Sequence, residues 1–459
     1  MYRESLVYVL MVVFACQLGA APIPERTKED ARKKQIGQWA TDLRSYQKHV
    51  RLRAMLNLVA EPNSFAVLQE FAPPVQATKA EIEGWLANLS DADDAVRNKA
   101  IEKLSDFPGV LQLTHLEQFK LCKTERSRRG LVQSWRPSLV AEIENFDDIE
   151  VRTHERGSQL NYKVTRNQGR NIVSIGIGLS EVEDHYCAGW TQSSFIAVLA
   201  HLSGSKSAEA LLRNLAQGHA KAFPTKVAAY LLKQKSPLKA KVQSFDVEWK
   251  KLAGPFGKWV YKPRTEESFV EDAIASFMVV QTWIEKDKPV AALKKVMKPL
   301  KADAEQLRTW LKDLGNEDAK VWEAARHNLT YFDPRLGLGT QETVSLLTDG
   351  MAKQRFCDVV LSRPMEYEQN LAKCELTIEK GHLHLDRPSG GLQAPYESLK
   401  ELCKPSWDAA CIGILVLEQI QTDEAISIIK DMTTGHPDAI TTRVATAALE
   451  RIQNNKKAK

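Results

Sequence analysis

The chain has 459 residues, of which 43% are apolar and 26% charged, and its formal charge is +5. That length holds two or three domains with cores of their own. The balance excludes a disordered chain and a polyanion binder driven by bulk charge, and no segment beyond the N-terminal leader is long and apolar enough to cross a bilayer.

The N-terminus reads as a targeting segment. Met1-Tyr2-Arg3 leads into an apolar run of eleven residues from Leu6 to Cys16, and Leu18-Gly19-Ala20-Ala21 supplies small residues for cleavage after Ala20. The run is too short to span a membrane as a helix. The expectation is a secretory signal over 1–20 and an exported product, periplasmic or secreted. The alternative is a lipoprotein acylated at Cys16, since Val13-Phe14-Ala15-Cys16 loosely matches a lipobox with a poor Phe14.

Residues 21–60 are predicted to form one basic helix, with nine Lys/Arg against four Asp/Glu between Glu25 and Arg53. Ile36, Trp39, Leu43, Tyr46 and Val50 give it an apolar stripe suited to packing on the first repeat. Its polar face is the one segment that suits an anionic envelope surface.

From residue 61 the chain repeats itself. Ala66, Leu68, Pro74, Trp85, Leu86, Leu89, Asp93, Val96, Ala100, Leu104 and Phe107 return, without a gap, as Ala291, Leu293, Pro299, Trp310, Leu311, Leu314, Asp318, Val321, Ala325, Leu329 and Phe332. The apolar members recur at three and four, the spacing of a buried helix face. Ser90-Asp91 and Gly315-Asn316 mark a turn between two antiparallel helices, with N-cap chemistry for the second. A second block repeats at a slightly shorter offset, that from Trp190 to Trp407. Trp190, Ala208, Gly218-His219, Thr225, Val227 and Leu232 match Trp407, Ala425, Gly435-His436, Thr442, Val444 and Leu449. It reads as helix, Gly at a left-handed C′ position, loop, Thr N-cap, helix. The histidine after each Gly is expected to meet the last helix carbonyls.

Between the blocks each copy carries a predicted hairpin. Gln168-Gly169 centres the first, pairing Val164 with Val173, Tyr162 with Ile175 and Leu160 with Ile177. Lys380-Gly381 centres the second, pairing Ile378 with Leu383 and Leu376 with Leu385. Period-two alternation about an X-Gly pair is the signal. The two hairpins are the candidates for one four-stranded sheet between two lobes. The organisation is therefore unit 1 over 61–235 with a hairpin near 159–178, a helical bridge over 236–285, unit 2 over 286–453 with a hairpin near 373–386, and a polar tail over 454–459.

His382-Leu383-His384-Leu385-Asp386 is the best candidate for chemistry. On a strand, His382, His384 and Asp386 share a side, and the hairpin register sets Glu379 opposite His382, Thr377 opposite His384 and Glu375 opposite Asp386. Neutral imidazoles with carboxylates in reach suit a divalent metal; cross-strand Glu–His pairing on a solvated face explains the same residues without one. The first copy has Asn161, Lys163, Thr165, Asn167, Arg170 and Ser174 on that face and no His, so the repeat itself does not require a metal.

The tryptophans Trp85, Trp190, Trp310 and Trp407 read as core anchors. Arg126-Ser127-Arg128-Arg129 reads as a solvated loop. Gly176-Ile177-Gly178 and Gly337-Leu338-Gly339 lack the last glycine of a dinucleotide fingerprint. No P-loop, G-x-S-x-G or HExxH stands in the chain, and no cofactor is implied. Of the cysteines that outlast the leader, Cys374 and Cys403 are one candidate disulfide pair among those left open, and Cys411 reads as a buried thiol.

These residues resemble HEAT-like helical repeats, and more closely the helical segments of large exported bacterial proteins that also carry WD40 propellers. Leu307 to Leu314 with Asp318-x-x-Val321-x-x-Ala324-Ala325 is similar to their opening helix pair. Val416 to Ala425, Gly435 and Thr442 to Ile452 are similar to their closing one. The likeness covers 303–452 best and 78–232 through the internal match. It implies a mainly α fold of duplicated α-solenoid-like lobes and a non-enzymatic scaffold or adaptor for a protein or peptide partner, with no nucleic acid. The chain departs from that family in having no propeller and in inserting the hairpins. The competing expectation is a metal-dependent hydrolase with His382, His384 and Asp386 at its site.

Overall fold

A computed structural model describes residues 25–457 except 46, 62–63, 75, 108–111, 136–147, 155–156, 166–171, 180–187, 235–237, 240, 254–264, 286–288, 362–373, 380–381, 387–391 and 395–404. The fold is mainly α. The first half runs α1 (Glu25–Asp42), α2 (Lys48–Ala60), α3 (Ser64–Phe71), α4 (Lys79–Asn88), α5 (Asp94–Asp106), α6 (His115–Leu121), α7 (Glu125–Trp135), β1 (Asp148–His154), β2 (Gly157–Thr165), β3 (Ile172–Leu179), α8 (Ala188–Ser203), α9 (Lys206–Leu215) and α10 (Phe223–Leu232). The second runs α11 (Phe245–Ala253), α12 (Glu266–Glu285), α13 (Pro289–Val296), α14 (Ala304–Asp313), α15 (Ala319–Tyr331), α16 (Pro334–Leu338), α17 (Thr340–Ser345), α18 (Gly350–Leu361), β4 (Glu375–Glu379), β5 (His382–Asp386), β6 (Leu392–Ala394), α19 (Pro405–Ile420), α20 (Asp423–Met432) and α21 (Ile440–Lys457).

Element bounds recur with the sequence. Shifted by the offset that carries Trp85 onto Trp310, helices α3, α4 and α5 begin and end where α13, α14 and α15 do. Shifted by the offset that carries Trp190 onto Trp407, helices α8 and α9 begin and end where α19 and α20 do. At the first of these offsets the last residue of α2, Ala60, falls on that of α12, Glu285, so α12 keeps register with the first half instead of merely bridging. Packing partners recur too. Helix α5 meets α7 and α8 where α15 meets α18 and α19, and α3 meets α9 where α13 meets α20.

Capping explains the sharp starts. Asp93 and Asp318 accept from the backbone N of Ala95 and Lys320, and the residue two before each, Asp91 or Asn316, accepts from the cap's own N–H at 2.8 Å. Thr78 and Thr114 form reciprocal capping boxes with Glu81 and Glu117, which satisfy two orphan donors at once. The expected caps Thr225 and Thr442 are not caps. Ala222 stands before α10, and both threonines lie buried inside their helices. Phe223 and Ile440 enter the core as the first residues of their helices, which start three residues before the positions that Thr225 and Thr442 would cap.

The left-handed positions also differ from expectation. Besides Gly339 at the end of α16, positive φ among the described residues falls on Gly204 at +60° and Gln421 at +54°. These two correspond at the offset of the second block, directly follow α8 and α19, and take the place expected of Gly218 and Gly435. Gly435 is needed for close approach: a Cβ there would sit 2.6 Å from Thr442 Oγ1 and 3.1 Å from the backbone N of Leu300. Gln421 carries the Cβ penalty that Gly204 avoids. Gln421→Gly is therefore expected to raise stability by about 1 kcal/mol, read as a higher denaturant midpoint at unchanged slope.

The single basic helix expected over 21–60 is two. The chain turns at Leu43-Arg44, where Arg44 N and Ser45 N bond Thr41 O and Asp42 O. The reversal lets Ile36, Ala40 and Leu43 on and just after α1 and Leu52, Met55 and Leu58 on α2 enter one core; a straight helix would expose one set. That main core joins both halves, drawing on α1–α3, α8–α10, α12, α13 and α19–α21. Helices α8 and α19 are its axes. Ile196 to Ala200 and Ile414 to Leu417 are consecutive buried residues, as expected of helices apolar all round. Smaller cores lie under α4–α7 and under α14, α15 and α18. Trp190 and Trp407 are fully buried as expected, whereas Trp85 and Trp310 are only half-buried.

The strands form two separate antiparallel sheets, ordered β1-β2-β3 and β4-β5-β6, so no described strand pairs across the halves. The correspondence also shifts. At the offset of the first block, His154↔Gly157 in one sheet falls on Glu379↔His382 in the other, and β1 packs on α6 and α7 as β4 packs on α17 and α18. The counterpart of Lys380-Gly381 is thus Glu155-Arg156, not Gln168-Gly169; all of these turn residues lie outside the described ones. Beyond Leu160↔Ile177, β2 and β3 continue to Thr165↔Ile172, while β5 and β6 stop at the equivalent Leu385↔Leu392. The longer ladder of β2 and β3 takes ten residues off the offset, and the two extra residues between β6 and α19 leave the net drop between the blocks.

Cys122, Cys357, Cys374 and Cys411 are all buried; Cys403, the partner expected for Cys374, lies outside the described residues. Gln354 Nε2 donates to Cys374 Sγ at 3.4 Å. His201, at the end of α8, accepts from Leu238 N through Nε2 at 3.0 Å, and burial holds its pKa below the ordinary value. The unfolded chain therefore takes up that proton first as pH falls. Stability from this site is present above pH ~6.5 and lost below it, at up to about 1.4 kcal/mol per pH unit. Denaturation midpoints across pH 5–8 should slope less in His201→Gln.

Candidate functional site

His382, His384 and Asp386 lie on β5, the middle strand of its sheet, and their side chains lie outside the described residues. The backbone register sets Glu379 opposite His382, Thr377 opposite His384 and Glu375 opposite Asp386. On the other side, β6 sets Gln393 opposite His384 and Leu392 opposite Leu385. The middle position changes the chemistry on offer. His384 is flanked by a hydroxyl-bearing and an amide-bearing residue, and its carboxylate neighbours stand only on the diagonals. Among the described residues, no three of His, Cys, Asp and Glu gather to hold a metal.

A polar groove of about 520 Å³ is built where α4 begins beside the loop after α9. Gln76 Nε2 donates to Gln217 O at 2.9 Å and ties its two walls together. Thr78, Glu81 and His219 line the groove, and the backbone N–H and hydroxyl of Thr78 hold the Glu81 carboxyl below the usual range. His219 Nδ1 accepts from Lys221 N at 3.3 Å, which places the proton of the neutral ring on Nε2, and the ring edge meets Phe107 with centroids 6.5 Å apart.

The recurrence of Gly-His is explained by this turn. His436 Nδ1 likewise accepts from Asp438 N, at 3.2 Å. Both rings take a backbone N–H two residues on, the reverse of donating to helix carbonyls. In the second copy, His436 N donates to Leu300 O at 2.9 Å and Gly435 closes on Leu300; the corresponding residue of the first copy, Val75, lies outside the described residues. Carboxylate, imidazole and amide along the first-copy groove suit hydrogen bonding to an extended polar chain.

The Arg126–Arg129 cluster lies on α7 and in its first turns, not in a loop. Arg128 stacks 4.7 Å over Phe119 and bonds Cys122 O, Arg129 pairs with Glu125 at 3.2 Å, and Arg126 is exposed. Sequence reading missed the polar seam between the halves. His49 Nδ1 lies 2.9 Å from Asp408 Oδ1, and Glu418 takes Arg451 Nε at 2.6 Å and Arg53 at 3.2 Å. Burial, the largest influence, lowers the Arg53 pKa despite the Glu418 charge. The available signal was Glu418 itself, a carboxylate directly after the apolar run Ile412 to Leu417.

Compared with known proteins, the chain matches no family model, no curated protein and no solved structure.

Proposed function

We propose that this chain is an exported, non-enzymatic scaffold or adaptor. In this reading two HEAT-like, α-solenoid-like lobes, descended from one duplicated unit and each carrying an inserted β-hairpin, present a protein or extended peptide partner with a fixed surface. One observation carries it: helix bounds, caps and packing partners recur in register across the halves, as in repeat proteins built for surface display. The groove beside α4 is the assigned partner site. Export rests on the leader over 1–20, and the basic face of α1 is assigned to envelope contact.

Two measurements test this. N-terminal sequencing of the exported product should begin at Ala21; acylation at Cys16 would replace secretion with lipid anchoring, and an uncleaved cytosolic product would remove export. A photoreactive residue at Gln217, in the full chain expressed in its own host, should give a discrete adduct that the same residue at Glu323 on α15 does not. No adduct, together with a stoichiometric metal lost in His384→Ala, would replace the scaffold with the metal-dependent hydrolase.

A further inference from the structure

We propose that β3 is a self-association edge, through which two copies of this chain pair about a twofold axis to make one six-stranded sheet. Strand β3 is terminal in its sheet, paired by the described residues to β2 alone. Its sequence, Ile172-Val173-Ser174-Ile175-Gly176-Ile177-Gly178-Leu179, carries no charge and no proline. Natural sheets blunt such edges with charge, proline or short strands, because an unpaired ladder recruits another. The other three terminal strands follow that rule or are covered. Strand β1 carries Asp148, Glu150, Arg152 and His154 and packs on α6 and α7; β4 packs on α17 and α18; β6 has three residues.

The occupant follows from the pattern. Antiparallel pairing of β3 with itself about Gly176 sets Val173 against Leu179 and Ile175 against Ile177. All four then keep to one face of the combined sheet, because residues two apart share a side. No charge meets a like charge. Among the described strands each chain offers one such edge, and the outer edges of the joined sheet are the charged, helix-packed β1 strands, so the assembly closes at two. A heterologous strand would match the ladder equally well, but nothing in the pattern selects one.

The test is light scattering on the full chain after size exclusion. The mass should be twice 51.6 kDa. Ile175→Lys with Ile177→Lys should halve it without changing helical circular dichroism, the milder Ile175→Thr should raise the dimer dissociation constant at least tenfold, and Leu392→Lys on β6 should leave the dimer intact. Gly176→Cys should oxidise to a covalent dimer and Val151→Cys on β1 should not. A monomeric wild-type chain overturns the proposal, as does a dimer indifferent to the β3 lysines. A monomer that binds a synthetic peptide of the β3 sequence overturns self-pairing in favour of a separate strand-shaped partner.

Discussion

Trp407→Ala is expected to cost about 3–5 kcal/mol, because it empties a fully buried indole site at the start of α19. The more telling comparison is with phenylalanine. Trp407 Nε1 donates to Tyr331 O at 2.8 Å, whereas the indole N–H of its counterpart Trp190 is buried with no hydrogen-bond partner among the described residues. Trp407→Phe should therefore lose about 1 kcal/mol more than Trp190→Phe, the net value of one hydrogen bond. Denaturant titrations followed by far-ultraviolet circular dichroism give both numbers. Equal losses would mean that the Tyr331 bond contributes nothing.

Glu418→Ala should be the second largest effect. Glu418 is nearly buried and serves Arg53 and Arg451 together. Removing it leaves Arg53 facing Arg451 without the shared carboxylate. Losing one partner of a buried pair costs more than the pair itself contributes. Both guanidinium groups reach solvent in part, so the expected loss is about 2–3 kcal/mol, below the fully buried case. Replacing Arg53, Glu418 and Arg451 together by Met, Leu and Met should recover most of it. If the triple variant is as unstable as Glu418→Ala, packing and not charge accounts for the loss.

Much of the helical layout was legible because duplication supplied an internal alignment. The recurrence of Trp85-Leu86-x-x-Leu89 as Trp310-Leu311-x-x-Leu314 placed α4 and α14 on the chain, and Asp93 and Asp318 announced the helices after them. What was not legible was set by tertiary packing. Thr225 and Thr442 have cap chemistry, but the burial of Phe223 and Ile440 moved the helix starts. Gly218 and Gly435 have stop chemistry, yet the left-handed turns fell to Gly204 and Gln421, the residues that directly follow the two axial helices of the core. The turn pairing Gln168-Gly169 with Lys380-Gly381 went wrong because X-Gly is a local signal, whereas strand correspondence followed the helices that β1 and β4 pack against. The break between α1 and α2 and the seam at Glu418 depend on a neighbour far away in sequence, which no local pattern encodes.

The candidate site was legible only as residue types. His382, His384 and Asp386 sit on a strand as read, with the opposing residues as read. A second neighbour, β6, was missed because so short a strand is below what alternation can signal. The groove beside Gly218-His219 was missed because its lining joins the capping box of α4 to the loop after α9 through Gln76 and Gln217, distant along the chain.

Two register-related halves share one core, and native-state hydrogen exchange on Trp190→Ala beside the wild-type chain tests this most directly. Trp190 lies in the first half, and its replacement opens α8. If α8 and α19 belong to one cooperative unit, amide protection across Ile412 to Leu417 in the second half should fall together with that across Ile196 to Ala200, by the same free energy. Protection of α19 held at the wild-type level while α8 exchanges freely would contradict it and leave two independent domains.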